Sequence, residues 1–172
     1  ESGARAVQGR AGDRPALNMA APSEGLATVV HVTRDLRLTY NEWEKFDSFL
    51  THKDARWVLD AHSERGLSQD RVVERYSRYA KSLVAVGHGQ GQDSDMGLRS
   101  EIIARANPYT DDMTGGMPVT VMYEGAPRPG AQVEIFAKAA DGTVTVSTIK
   151  ADAAGNAVVP VQRGYSYLLD AV

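Results

Sequence analysis

The chain has 172 residues and no cysteine, and 19 lysines and arginines stand against 22 aspartates and glutamates, for a net charge of −3. This near-neutral balance argues against a nucleic-acid-binding protein, which would carry a basic surplus. The lack of cysteine excludes thiol nucleophiles, cysteine-bound zinc, iron–sulfur clusters and disulfides, and no apolar run approaches the roughly 18 residues of a membrane-spanning helix.

Residues 1–26 are rich in alanine, glycine and arginine and allow two interpretations. They form either a disordered arm or short strands. The β-branched run from Ala27 to Thr33 predicts a strand. The chain has no initiator methionine or signal sequence and stops at Val172 directly after a predicted strand, so we expect it to be incomplete at both ends.

The middle of the chain predicts a helical insert at about residues 41–76. Asn41 and Glu44 are spaced nearly as in a capping box, and Phe46 and Leu50 follow at helical spacing. Because a helix start followed by a 3.6-residue period is typical of an amphipathic helix, we expect the first helix to begin here.

Two further helical pieces are predicted in the same insert. Trp57 and Ala61 lie on one helical face, and Gly66 supplies a stop. Ser68 is placed to cap a third piece that carries Val72–Tyr76.

The rest of the chain predicts strands. We expect strands over about 78–86 and 98–106, with a glycine-rich loop at 88–97 between them. Alternating apolar residues and the hairpin signal Asp141–Gly142 predict five more short strands, near 119–123, 133–137, 144–148, 157–161 and 165–169.

These elements predict a mainly β protein, α+β overall. Residues 1–106 would form a partial β-domain that carries the helical insert. Residues 107–172 would form an immunoglobulin-like or prealbumin-like sandwich, because five short strands at roughly ten-residue spacing are typical of that architecture.

Several segments together carry a resemblance to a known family. They are Leu38–Tyr40 with Trp43 and Phe46, Glu74–Lys81, Asn107–Tyr109, Tyr123–Pro127, Gly130–Glu134, Asp152–Gly155 and Tyr167–Leu169. With these segments in this order, the chain resembles a bacterial cell-envelope family, domain-of-unknown-function family 4198. By analogy, that family is often labelled a nickel-uptake substrate-specific component. The resemblance covers about Arg5 to Val172, and the run Glu74–Lys81 is its most specific part.

The resemblance implies a non-enzymatic exported protein of the periplasm that binds a ligand or assists nickel or cobalt uptake, with a membrane transport component as its partner. Family members have an N-terminal β-domain, so residues 1–33 would be its last strands. They also begin with a histidine-containing segment that this chain lacks. We therefore expect no cofactor in this chain, and nickel or cobalt only in the full-length protein.

Two other functions stay open. A structural or protein-interaction sandwich would show an exposed apolar patch or edge strand and no pocket of convergent polar groups. A hydrolase would need carboxylates or a Ser–His pair that converge where the insert meets the sandwich. No nucleophile elbow or phosphate-binding loop occurs in the sequence, and nucleic acid and a transmembrane segment are not expected.

Candidate site residues come from two patterns. The basic–aromatic run Arg75, Tyr76, Arg78 and Lys81 either binds an anion or forms ion pairs that fix the insert, and ion pairing is favoured.

For a metal, His31 and His62 are the candidates among four histidines, none of which lies within four residues of another. Such a site could form only through the tertiary structure. His31 is otherwise a core or cross-strand residue, and His62 a residue near the carbonyl end of a helix. The Asp93–Gly97 loop lacks the further ligands of a calcium-binding loop, so we interpret it as solvated.

Overall fold

A computed structural model describes residues 4–10 and 12–172. In chain order its elements are β1 (Gly25–Val32), β2 (Leu36–Tyr40), α1 (Trp43–His52), α2 (Trp57–Glu64), β3 (Val72–Tyr76), β4 (Tyr79–Val86), β5 (Ser100–Ala104), β6 (Met117–Tyr123), β7 (Ala126–Pro127), β8 (Gln132–Lys138), β9 (Val144–Lys150), β10 (Asn156–Val159) and β11 (Ser166–Asp170). The protein is mainly β, which confirms the predicted fold class. No helix in the described ranges is long and apolar enough to span a membrane.

The first part of the chain forms two antiparallel ribbons. β1 pairs with β4, and β2 pairs with β3. Helices α1 and α2 connect β2 to β3 and enclose a small core of Tyr40, Phe46 and Leu50. The predicted strands at Ala27–Thr33 and 78–86 are confirmed by β1 and β4, and Gly66, with a φ of 62°, follows the end of α2 as predicted.

Two predictions for the insert are wrong. Val72–Tyr76 is strand β3 and not a third helical piece, because all five residues pair with Leu36–Tyr40 and β-branched Val72 and Val73 fit a sheet. The helices of the insert therefore span only the ranges of α1 and α2. The N-cap of α1 is Glu42, whose side chain makes no capping hydrogen bond, so Asn41 does not open the helix.

No strand is assigned in residues 4–10 and 12–24, so the strand alternative for the N-terminal segment is not observed there. Residues 1–3 and 11 lie outside the described residues.

The second part of the chain is a two-sheet sandwich. One sheet has the order β10-β6-β5, with β7 added to β6, and the other has the order β11-β8-β9. Inward side chains of both sheets form the main core, in which Val119, Val121, Val133 and Val159 are at most 2% exposed. The five strands predicted here are confirmed, and β8 and β9 form the hairpin at Asp141–Gly142. The predicted boundary at residue 107 falls between β5 and β6, which pair in one sheet.

The outer face of the β11-β8-β9 sheet divides into a covered and an open half. Asp170 pairs with Glu134, and both lie beneath the C-terminal end of α1. Two pairs further along the strands, and so on the same face, Leu168, Phe136 and Val146 lie side by side in register. Leu168 is 60% exposed and Val146 is 53% exposed.

Candidate functional site

A buried charge cluster joins β4, β5 and the glycine-rich loop between them. Lys81 Nζ lies 2.8 Å from Asp93 Oδ2 and 2.6 Å from Glu101 Oε1. The Lys81 side chain is 7% exposed, and those of Asp93 and Glu101 are 1% exposed. Two carboxylates thus share one ammonium group in a place that water scarcely reaches.

Backbone N–H groups complete the hydrogen bonding of these carboxylates. Glu101 accepts from the N–H of Met96 and of Leu98, with N–O distances of 3.0 to 3.2 Å. Asp93 accepts from Ser94 N and Ala104 N, each at 2.9 Å. Because an unpaired buried charge is costly, these donors offset the negative charge that remains beside Lys81.

The loop that carries Asp93 is fixed by Asn107, which is 1% exposed. Asn107 Nδ2 donates to the carbonyl oxygens of Gly89 at 2.8 Å and Gly91 at 2.9 Å. Its Oδ1 accepts from Tyr109 N at 2.9 Å. The Asn107–Tyr109 segment therefore fixes the backbone of the glycine-rich loop. The prediction that the Asp93 loop is solvated is wrong for Asp93, because its side chain is 1% exposed and lies against Lys81.

The structure separates the four residues of the basic–aromatic run. Arg75 is exposed and binds Asp35, with Nη2 2.8 Å from Oδ2. Arg78 Cζ lies 5.3 Å from the centre of the Tyr76 ring, a cation–π contact. Lys81 alone enters the buried cluster, so the four side chains do not form one anion site.

The two histidine candidates also lie in different surroundings. His31 is exposed on β1, opposite Ala80 of β4. His62 is 9% exposed, packs 5.2 Å from the Trp43 ring, and its Nε2 lies 2.9 Å from the carbonyl oxygen of Ser68. Within the described part of the chain no group of three His, Asp or Glu residues is placed to hold a metal ion.

A second charged cluster joins α1 to the sandwich. Lys53 Nζ lies 2.6 Å from Glu134 Oε2 and 2.5 Å from Asp170 Oδ2. His52 Nε2 lies 2.7 Å from Glu134 Oε1. Hydrogen bonds from Lys53, opposed by burial, hold the pKa of Glu134 below its usual value. Two carboxylates do converge here, but Lys53 binds both of them, which favours a structural role for the junction.

The open half of the outer sheet face is apolar. We call it the β9 face and define it by Phe136, Val144, Val146 and Leu168. Phe136, Val144 and Leu168 border a depression of about 440 Å³, together with Lys138. Val146 lies next to Phe136 in the register and is exposed. A contiguous group of exposed apolar side chains can mark an interaction surface.

Sequence reasoning found Lys81 but missed its partners. Asp93 and Glu101 are 12 and 20 positions further along, in a loop and in strand β5. Because β4 and β5 belong to different sheets, these side chains meet only in the tertiary structure. The alternation of residues in β8 and β9 would have indicated that the outer face of the sheet is also apolar. Phe136, Val144 and Val146 alternate along the strands with the residues that face the core.

Comparison with known proteins assigns the family. A family model described as Domain of unknown function (DUF4198) matches residues 2–172. No curated protein and no solved structure matches the chain. The predicted family resemblance is therefore confirmed over nearly the full length, and the chain belongs to the DUF4198 family.

Proposed function

We propose that this chain is a non-enzymatic protein-interaction module of the bacterial envelope, which binds an extended segment of a partner protein at the β9 face. The observation that carries the proposal is the row Leu168–Phe136–Val146, which runs in register across the sheet to the edge strand β9. A sandwich with an exposed apolar row beside an open edge has the two features expected of such a module.

The backbone of β9 supports strand addition. At the two ends of the β8–β9 ladder, Ala139 N donates to Thr143 O and Ala151 N donates to Ala131 O, each at 2.9 Å. Because hydrogen-bonded pairs alternate in an antiparallel ladder, odd-numbered residues of β9 bond to β8. The N–H and C=O groups of Val144, Val146 and Thr148 therefore point to the open edge, where an added strand gains backbone hydrogen bonds.

Charge narrows the chemistry of the partner. Lys138 lies beside Val144 in the register, and the described residues place no carboxylate within salt-bridge distance of it. An acidic side chain on the bound segment would pair with Lys138 while its apolar side chains cover Phe136 and Val146. We therefore expect an extended segment with alternating apolar residues and one acidic residue.

Selection from a displayed library of random peptides of about eight residues, on the complete folded chain, tests this proposal. Enriched peptides should show the stated pattern and should bind Val146→Pro at least about tenfold more weakly, because proline removes an N–H that faces the open edge. Leu168→Gln should weaken binding as well. Val158→Gln, at a residue that is 55% exposed on the other sheet, should not.

Circular dichroism must show that each variant is folded. The proposal is overturned if no peptide is enriched, or if the enriched peptides bind Val146→Pro and Leu168→Gln as tightly as the original chain. It is also overturned if sedimentation shows that the free chain forms a dimer that Val146→Pro abolishes, because a second copy would then be the occupant.

Export to the periplasm and a part in nickel or cobalt uptake, with a membrane transport component, stay predictions that rest on the family resemblance. Calorimetry with Ni²⁺, Co²⁺, Zn²⁺ and Cu²⁺ on this chain and on the full-length mature protein tests the metal. Binding by the full-length form alone would place the site outside residues 1–172. Binding by neither would contradict a metal-carrying role.

A further inference from the structure

The cluster of Lys81, Asp93 and Glu101 holds the components of a condensation reaction. An amine, a carboxyl group and a second carboxyl group that can carry protons are in mutual contact, and their side chains are at least 93% buried. When the fold holds reacting groups at contact distance, they need not meet by diffusion, and this lowers the activation free energy substantially. Exclusion of water also removes the competing hydration of the amine and the carboxylate.

We propose that Lys81 and Asp93 condense within the folded chain to an isopeptide bond, with Glu101 as the catalytic proton carrier. This goes beyond the proposed interaction function and does not depend on it. The bond would join β4 covalently to the loop that precedes β5.

The step balances without an oxidant or a co-reactant. A proton passes from the Lys81 ammonium through Glu101 to the Asp93 carboxylate, which gives a neutral amine and a neutral acid. The Nζ lone pair then attacks Cγ of Asp93. Glu101 takes a proton from the nitrogen and returns it to the departing hydroxyl group, so that the Nζ–Cγ bond forms, a Cγ–O bond breaks and one water leaves.

The backbone around Asp93 suits this reaction. Ser94 N–H donates to Asp93 Oδ1 at 2.9 Å, and this donor would stabilise the negative charge that develops on that oxygen in the tetrahedral intermediate. Lys81 Nζ contacts the other oxygen, Oδ2, and also reaches Glu101 Oε1. Nucleophile, electrophile and proton carrier thus occupy adjacent positions before any bond is made.

Mass spectrometry of the denatured, purified chain tests the proposal. After incubation at neutral pH the mass should be about 18 Da below that calculated from the sequence, since one water is lost. Lys81→Arg and Asp93→Ala should show the calculated mass. Glu101→Gln should slow the loss at least about tenfold, because it removes the proton carrier.

A replacement of the electrophile keeps the test meaningful if a variant fails to fold. Asp93→Asn is nearly isosteric and can condense with loss of ammonia, about 17 Da, to reach the same product mass as the original chain. Trypsin should no longer cut after Lys81, so that Tyr79–Arg99 is released as one peptide. Cleavage inside this peptide after Leu83 should give two fragments that stay joined.

A competing reaction is the closure of a succinimide ring at Asp141–Gly142, which also removes about 18 Da. That reaction would still occur in Lys81→Arg, and it would leave the tryptic cut after Lys81 intact. The inference is overturned if the original chain keeps its calculated mass, if Lys81→Arg shows the same loss, or if trypsin cuts after Lys81 in the dehydrated chain. In each of these cases the three side chains form a buried ion pair network and nothing more.

Discussion

Lys53 and Glu134 are 81 positions apart in the chain, yet the Lys53 ammonium lies 2.6 Å from a Glu134 carboxylate that is only 4% exposed. This pair joins the end of α1 to β8, the middle strand of the β11-β8-β9 sheet. Gln132 Nε2 adds a second link by donating to the carbonyl oxygen of His52 at 2.8 Å. The helical insert is therefore attached to the sandwich by polar contacts to one half of a sheet face, and the apolar half stays uncovered.

Removing Lys53 should destabilise the protein strongly. Lys53→Met leaves the buried Glu134 carboxylate without its ammonium partner, and we expect the free energy of unfolding to fall by about 3 kcal/mol. Urea unfolding measures the change. Lys150→Met is the matched control, because Lys150 and Asp54 form an ion pair whose side chains are about half exposed, and we expect it to cost less than about 1 kcal/mol. Equal losses in the two variants would contradict this account.

The same junction should make stability depend on pH in acid. Lys53 holds the pKa of Glu134 below its usual 4.5, so ionised Glu134 stabilises the fold above pH 4.5 and loses this effect as the pH falls through its lowered pKa. Burial lowers the pKa of Lys53, but hydrogen bonds to Asp170 and Glu134 outweigh it, and the net shift is upward. The titration of Lys53 itself therefore costs no stability below pH 10.5, and it reduces stability only at higher pH.

Comparison of the original chain with Glu134→Gln by urea unfolding from about pH 3 to about pH 7 checks this sign. The difference in unfolding free energy should be constant at the upper end and should shrink as the pH falls. A difference that stays constant down to about pH 3 would show that the charge of Glu134 does not stabilise the junction.

Asn107 should control the order of the glycine-rich loop. Asn107→Ala removes the donor to Gly89 O and Gly91 O, and we expect a loss of about 2 kcal/mol in unfolding free energy. Amide hydrogen exchange should also become faster in residues 88–92. Asn41→Ala, at an exposed position that does not cap α1, is the control and should leave both measurements nearly unchanged. Unaltered exchange in the Asn107 variant would contradict this role.

Two adjacent glycines should respond differently to alanine. Gly116 has a φ of 90°, and a Cβ there would lie 2.7 Å from Val158 Cγ1 and 2.8 Å from Val159 O. Gly116→Ala should therefore cost about 2 kcal/mol of unfolding free energy, measured in urea. Gly115 has no heavy atom within 4 Å of the corresponding position. Gly115→Ala should change stability by no more than about 0.5 kcal/mol, and similar effects in both would refute the packing argument.

Local chemistry explains what could be predicted. The alternation of β6, β8 and β9, the turn at Asp141–Gly142 and the stop at Gly66 depend on residues that are neighbours in sequence. Val72–Tyr76 was assigned wrongly because its spacing fits a short helix as well as a strand. Pairing with Leu36–Tyr40 decides for the strand, and that partner lies beyond any local window.

The sequence by itself determined the mainly β fold and the family, and it marked Lys81 as one of four candidate residues, since each depends on residue types in order along the chain. Only the tertiary structure decided that Lys81 meets Asp93 and Glu101, that Lys53 meets Glu134, and that Leu168, Phe136 and Val146 form one row. These contacts depend on strand register and sheet order, which side chains distant in sequence establish together when the core packs.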